Sequence, residues 1–205
     1  MKLANPVSWP PSGDWDRRLT AVACPDLAPV TTLHENEWFV VRNRGGFFTT
    51  EFRQRHVIVL PVLEDSEIVM VRVRRPVIGD TTLELPAGAI EANETAVAGA
   101  AREFTEETGI AVPEARFNAM PPMSTAPGRT PNLAYVFRVD LTREEFVQRK
   151  PHDDEVASVH CVPFDEVMQL VTAGGLYVAL PVAVIAGYLF SRFPKLANNQ
   201  AGPAR

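Results

Sequence analysis

From residue 56 onward the chain alternates short apolar runs with one long amphipathic segment. Residues 57–63 (VIVLPVL) and 68–73 (IVMVRV) are β-branched-rich and flank the polar run 64–67, EDSE. That pattern predicts a β-hairpin. Residues 81–85 predict a further short strand, stopped by Pro86-Ala87-Gly88. Residues 93–108 predict a helix, with Asn93 as N-cap and Gly109 as its C-terminal stop. Val97, Ala100, Ala101 and Phe104 stand at i, i+3, i+4 and i+7, one apolar stripe. Residues 120–131 read as a Pro/Met/Ser loop, 133–139 and 156–162 as strands, and 164–172 as a helix stopped by Gly174-Gly175. A charged stretch fills 142–155. A last helix covers roughly 181–193, with Pro181 in its first turn.

Residues 1–35 look irregular, 37–42 (EWFVVR) reads as a strand, and 47–52 pairs back across the turn at 44–46. So short a stretch cannot bury a core alone. It is expected to pack on the rest of the chain or on a second subunit. The expected division is a β extension over 1–54, a main domain over 55–193 and a polar tail over 194–205. Strands mixed with few helices predict an α/β or α+β sandwich.

Composition narrows the function classes. In 205 residues there are 20 Lys+Arg and 25 Asp+Glu, a net charge of -5 that argues against a nucleic-acid binder. With 46% apolar and 22% charged residues the chain has the material for a core. Two cysteines, Cys24 and Cys161, build no disulfide framework, and no CxxC suggests zinc. The N-terminus carries no apolar core of signal-peptide length. The apolar run 176–190 is 15 residues and contains Pro181, short of the ~20 needed to span a bilayer. No membrane element and a cytoplasmic location are therefore expected.

The helix over 93–108 also carries a charge pattern that stability alone would not choose. Glu103, Glu106 and Glu107 stand at i, i+3 and i+4 and share a face. Like charges at this spacing repel by a few tenths of a kcal/mol each. They also sit in the last turn, where the helix dipole is already negative. A hard divalent cation relieves both conflicts, since Mg²⁺ binds through a few carboxylates plus substrate phosphates. A solvated acidic face is the alternative reading of these carboxylates alone.

The surrounding residues weigh against it. Residues 88–110 read GAIEANETAVAGAAREFTEETGI. The segment resembles the Nudix hydrolase box at every position the box defines: Gly88, Glu94, Arg102, Glu103, Glu106, Glu107, Gly109 and the flanking aliphatic slots. The resemblance implies a Nudix α/β/α sandwich with a mixed sheet. It also implies hydrolysis of a nucleoside diphosphate linked to a second moiety. By that resemblance Glu103 and Glu107 ligate Mg²⁺, or Mn²⁺ in its place, with Glu106 a third or water-mediated ligand and the Ala87 carbonyl a further one. Arg102 orients a box carboxylate, Gly88 and Gly109 allow tight turns, and Glu94 closes the loop onto the helix.

The flanks are similar to the ADP-ribose pyrophosphatase branch. VRVRRP at 71–76 followed by LELPAG at 83–88 matches its VRQYR…ELPAG pattern, with Val73 where the branch carries Gln. Arg75 then takes the place of a substrate-contacting arginine. Ala126-Pro127-Gly128 stands where the branch has SPG, which implies substrate contacts at Pro127 and Gly128. VPFDEV at 162–167 resembles the branch's VPLDEV run, and the polar loop HDDE at 152–155 precedes it. A loop carboxylate there acts as general base, and Asp153, Asp154 and Glu155 are the alternatives. The branch builds homodimers through N-terminal strands, which would make Trp38, Phe39 and Val41 interface or core residues. ADP-ribose, giving AMP and ribose 5-phosphate, is the expected small-molecule substrate. GDP-mannose or another nucleotide sugar is the rival, and a non-catalytic ligand-binding module is the alternative of another class.

Overall fold

The computed structural model describes residues 27–150 and 154–193. Three short strands, β1 (Val30–Glu35), β2 (Phe39–Arg44) and β3 (Phe47–Phe52), form an antiparallel sheet of their own in the order β1-β2-β3. The remainder builds a second sheet. Its strands are β4 (His56–Leu63), β5 (Glu67–Arg75), β6 (Asp80–Glu84), β7 (Ala87–Ala89), β8 (Asn118–Ser124), β9 (Leu133–Leu141) and β10 (Val156–Pro163). The main path runs β10-β5-β4-β9-β8, with β4 and β9 parallel and the other pairs antiparallel. The helices are α1 (Ala96–Thr108), α2 (Arg143–Val147), α3 (Phe164–Thr172) and α4 (Ala179–Arg192).

The sheet is covered on both faces, which explains why the β4 sequence is apolar throughout rather than alternating. Val57, Val59 and Leu63 join Ala100 and Phe104 of α1 in one cluster. Ile58, Leu60 and Val62 join Val167 of α3 and Val184, Ile185 and Leu189 of α4 in the other. The expected α/β/α sandwich is therefore the observed one. Phe104 is fully buried and meets Phe117 edge-on, ring centroids 5.9 Å apart.

The expected hairpin is only partly a hairpin. β4 and β5 pair at Val62–Ile68 and Leu63–Glu67 beside the turn. Beyond that they separate, and the segment from β6 to β7 enters the gap. β6 pairs with β5, β7 pairs with β4, and the Val59 N–H donates to the Pro86 carbonyl at 2.8 Å. This wedge carries Gly88 to the middle of the molecule.

Three local readings are corrected. The N-cap of α1 is Thr95, whose hydroxyl accepts from the Ala98 N–H at 3.1 Å. Asn93 instead takes the left-handed turn position, φ 69°, which Asn tolerates better than most residues. The stretch read as a loop opens with β8, despite Pro121 and Pro122. An edge strand needs ladder donors on one side only, and β8 lies at the edge with a bulge between Met120 and Met123. The charged stretch contains α2, closed by a capping box of Thr142 and Glu145.

Gly109 ends α1 with φ 72° and its N–H on the Thr105 carbonyl at 2.8 Å. A Cβ there would overlap the Lys150 carbonyl, whose residue also donates its N–H to Gly109 O at 2.9 Å. Gly174 has φ 78° with open space around it. Gly174→Ala should therefore destabilise by only about 1 kcal/mol, the cost of the left-handed conformation. Gly109→Ala should cost several kcal/mol more. Urea unfolding of both variants checks this, and equal losses would contradict it.

Candidate active site

The helix α1 turns its apolar stripe to the sheet, and this fixes where its carboxylates lie. With Ala100 and Phe104 in the core, Glu107 is buried at 7% exposure and Glu106 stays exposed. The Glu107 carboxylate reaches back to the wedge and accepts the Ala87 N–H at 2.9 Å. Glu103 lies against Gly88, where a Cβ would coincide with its carboxyl group. A side chain at residue 88 would therefore have to displace the Glu103 carboxyl from its bond with Arg102. The turn-forming role of Gly88 is secondary.

Arg102 ties the site together. Its Nε donates to Glu94 at 3.1 Å, and one terminal nitrogen donates to Glu103 at 3.0 Å and Glu106 at 2.9 Å. The other donates to the Ala89 carbonyl at 2.7 Å. Glu94 also accepts the Glu91 N–H at 3.0 Å, so the loop before α1 is closed onto the helix. The hydrogen bond from Arg102 holds the Glu94 carboxyl below its ordinary range. Burial pushes the Glu103 carboxyl the other way, with the charges of Glu106 and Glu155 adding to the rise against Arg102.

These residues fit a hard divalent cation by donor type. Burial and the charges of Glu106 and Glu155 disfavour the charged form of Glu103, and a cation removes that penalty. Among the described residues no three side chains form a ready-made metal cage. Arg102 engages Glu103 and Glu106, and the Ala87 N–H engages Glu107.

An open cleft of about 470 Å³ adjoins this centre. Arg75 and Glu155 bring charge to its lining, beside Ala87 and Gly88. Phe52, His56, Leu180, Thr125 and Asn132 line it as well. Phe52 meets His56 edge-on at 5.4 Å. Burial pushes the His56 imidazole below its ordinary pKa, against the backbone hydrogen bond with Gln54. Asn132 accepts the Phe52 N–H at 3.0 Å and donates to the Phe52 carbonyl at 3.3 Å, and Thr50 N–H donates to Arg129 O at 2.8 Å. The N-terminal sheet thereby forms one wall of the cleft.

Of the residues singled out in the sequence, Ala87, Gly88, Glu94, Arg102, Glu103, Glu106 and Glu107 come together. Arg75 and Glu155 reach the cleft from β5 and from the start of β10. Pro127 and Gly128 stand on an exposed turn, and the same loop presents Thr125 and Asn132 to the cleft. Asp154 is exposed, and Asp153 lies outside the described residues. Phe52, His56 and Asn132 were not anticipated, because nothing in their local sequence announces a cleft.

Three comparisons bear on this geometry. The NUDIX domain model matches residues 52–179. Phosphatase NudJ of Escherichia coli (strain K12) is 35% identical over 114 residues, 56% of this chain and 72% of that protein. Phosphatase NudJ of Shigella flexneri matches to the same extent. A solved structure described as an ADP compounds hydrolase superposes with TM-score 0.60 over 80% of this chain and 92% of that one. At 16% identity it shows a shared fold.

The Glu94–Arg102 pair sets a pH signature. Glu94's pKa is lowered in the folded protein, so its stabilisation is present above the unfolded value of 4.5 and is lost as pH falls through the lower folded value. Glu94→Gln should melt below wild type at pH 7, with the gap closing in acid. Melting curves between about pH 3 and 7 test this, and a gap constant with pH would contradict it.

Proposed function

Because the chain belongs to the NUDIX family, we propose that it is a Mg²⁺-dependent hydrolase of a nucleotide sugar, with ADP-ribose as its substrate and AMP and ribose 5-phosphate as products. The family supplies the coarser activity: a hydrolase and pyrophosphatase of nucleoside diphosphate derivatives that works with divalent metal ions. The single observation that carries the finer reading is the mixed lining of the cleft. Arg75, and Ala87 and Gly88 beside the box carboxylates, suit a pyrophosphate with its metal. Phe52, His56 and Leu180 suit a base or sugar.

In this reading Glu103 and Glu107 hold the metal, with Glu106 and the Ala87 carbonyl as further ligands. When bound, the metal offsets charge on the phosphate oxygens and lowers the pKa of the attacking water. Arg102 keeps Glu103 and Glu106 in place. Arg75, which lines the same cleft, orients the substrate. Glu155, the described loop carboxylate that lines the cleft, takes the proton from the water. Asp153 and Asp154 are the other carboxylates of that loop. Among the described residues no helix is long and apolar enough to cross a membrane.

The test is turnover of ADP-ribose, GDP-mannose, ADP-glucose, NADH and diadenosine polyphosphates with Mg²⁺, for wild type and Glu107→Gln. ADP-ribose should be hydrolysed best, and EDTA should abolish turnover. Gln at 107 keeps an acceptor for the Ala87 N–H but removes the charge. Its kcat should fall about 10²-fold or more, roughly 2.7 kcal/mol of transition-state stabilisation, with its melting temperature little changed. Turnover within about threefold of wild type would sink the metal assignment. GDP-mannose preferred a hundredfold would overturn the substrate alone.

We further infer a homodimer through the N-terminal sheet. Leu33, Trp38, Phe47, Phe48 and Phe52 there are all at least 40% exposed, an apolar surface that a monomer would leave in water. Sedimentation should show a dimer at micromolar concentration. Trp38→Asp or Phe48→Asp should shift it to monomer, and a monomeric wild type would refute the inference.

A further inference from the structure

β5 ends on Arg75, and β6 beside it carries Thr82 and Glu84 on the same face, opposite Val73 and Val71. Arg75 Nε and one terminal nitrogen donate to the two Glu84 oxygens at 2.8 and 2.9 Å. This is the parallel two-bond fork that fixes a guanidinium in one plane. The Thr82 hydroxyl donates to the same carboxylate at 2.5 Å.

The pair is buried asymmetrically. Thr82 and Glu84 are 2% and 7% exposed, whereas the Arg75 side chain is 47% exposed and lines the cleft. Burying a carboxylate costs several kcal/mol before its partners compensate. An ion pair that served only stability would gain nothing from leaving its cation open to one side. Here the anion is buried on β6 and the cation lines the cleft. Glu84 occupies two of the five guanidinium N–H donors, leaving three.

Position matters because Arg75 has competitors for its charge. Glu84 foremost, then Glu107 and Glu155, hold its pKa above the ordinary arginine value. Glu155 lines the same cleft, and Glu107 lies beside it, accepting the N–H of the lining residue Ala87. Released from Glu84, the guanidinium would be drawn towards them and away from a substrate.

We propose that Glu84, backed by Thr82, is a positioning residue for substrate recognition. It holds Arg75 off the box carboxylates so that the remaining N–H donors meet phosphate or ribose oxygens of a nucleoside diphosphate. The inference rests on the reading of Arg75 as a substrate contact.

The test is steady-state kinetics on the best substrate of the panel with Mg²⁺, for Glu84→Gln, Thr82→Val, Arg75→Gln and the doubles of each with Arg75→Gln. Melting curves establish that each variant is folded. Arg75→Gln and Glu84→Gln should each raise KM about tenfold with kcat within about threefold, the pattern of lost uniform binding. Thr82→Val should raise KM about threefold. In the Arg75→Gln background neither change should add more than about twofold, because a residue that acts through another has no effect without it. Equal effects in both backgrounds would overturn the proposal in favour of a structural role. An unchanged KM in Glu84→Gln beside a raised KM in Arg75→Gln would overturn it while the Arg75 contact stands. No effect of Arg75→Gln on any substrate would remove that contact and the positioning role together. Should Glu84→Gln fail to fold, Thr82→Val, which keeps the carboxylate, decides by the same comparison.

Discussion

Arg102 places one positive charge among Glu91, Glu94, Glu103 and Glu106, within 4.0 Å of each. Much else about the site follows from that charge. α1 has to present carboxylates on the side that adjoins the wedge, in a last turn where the helix dipole opposes them. A single guanidinium, also bonded to the Ala89 carbonyl, joins loop, strand β7 and helix into one unit. It leaves Glu103 held and partly buried instead of free to turn towards solvent.

The second constraint is geometric. β4 and β5 part after two residue pairs, and a sheet cannot leave buried donors and acceptors unpaired. The wedge from β6 to β7 supplies them, with the Pro86 carbonyl meeting the Val59 N–H. One insertion then serves two ends of the site. β7 brings Ala87 and Gly88 against Glu107 and Glu103, and β6 brings Thr82 and Glu84 against Arg75. The carboxylate centre and the cleft arginine are set by the same short piece of chain.

The N-terminal sheet is connected to the main domain through Asn132 and Arg129 as well as through the linker, where Arg55 accepts the Ile90 N–H and donates to Tyr135 and to the Glu94 carbonyl. Asn132 substitutes its side-chain amide for a strand partner at Phe52, and Arg129 offers its carbonyl to Thr50. The loop after β8 is therefore held at its own far end by a sheet that sequence reasoning treats as an accessory. Through that bond Phe52 comes to meet His56 in the lining of the cleft.

How much of this is legible in the sequence depends on how local the cause is. Helical residues three and four apart share a face whatever surrounds them, so the apolar stripe and the carboxylates of α1 could be read directly, as could the stop at Gly109. The apolar run of β4 likewise announced a strand, though that it is covered on both faces is a matter of packing. β8 was missed because Pro121 and Pro122 are breakers by local rules, and only the sheet order makes that strand an edge. Thr95 displaced Asn93 as N-cap because Asn93 was needed at a left-handed turn. The roles of Phe52, His56, Glu84 and Asn132 belong to the tertiary structure alone. Phe52 and Asn132 meet across 80 residues, and Glu84 is a buried anchor because β6 pairs with β5 inside the gap that β4 leaves. Hydrophobic pattern and box spacing determine which elements form and which charges gather. Which residues then face one another across a cleft is decided when the sheet splits and the wedge fills it.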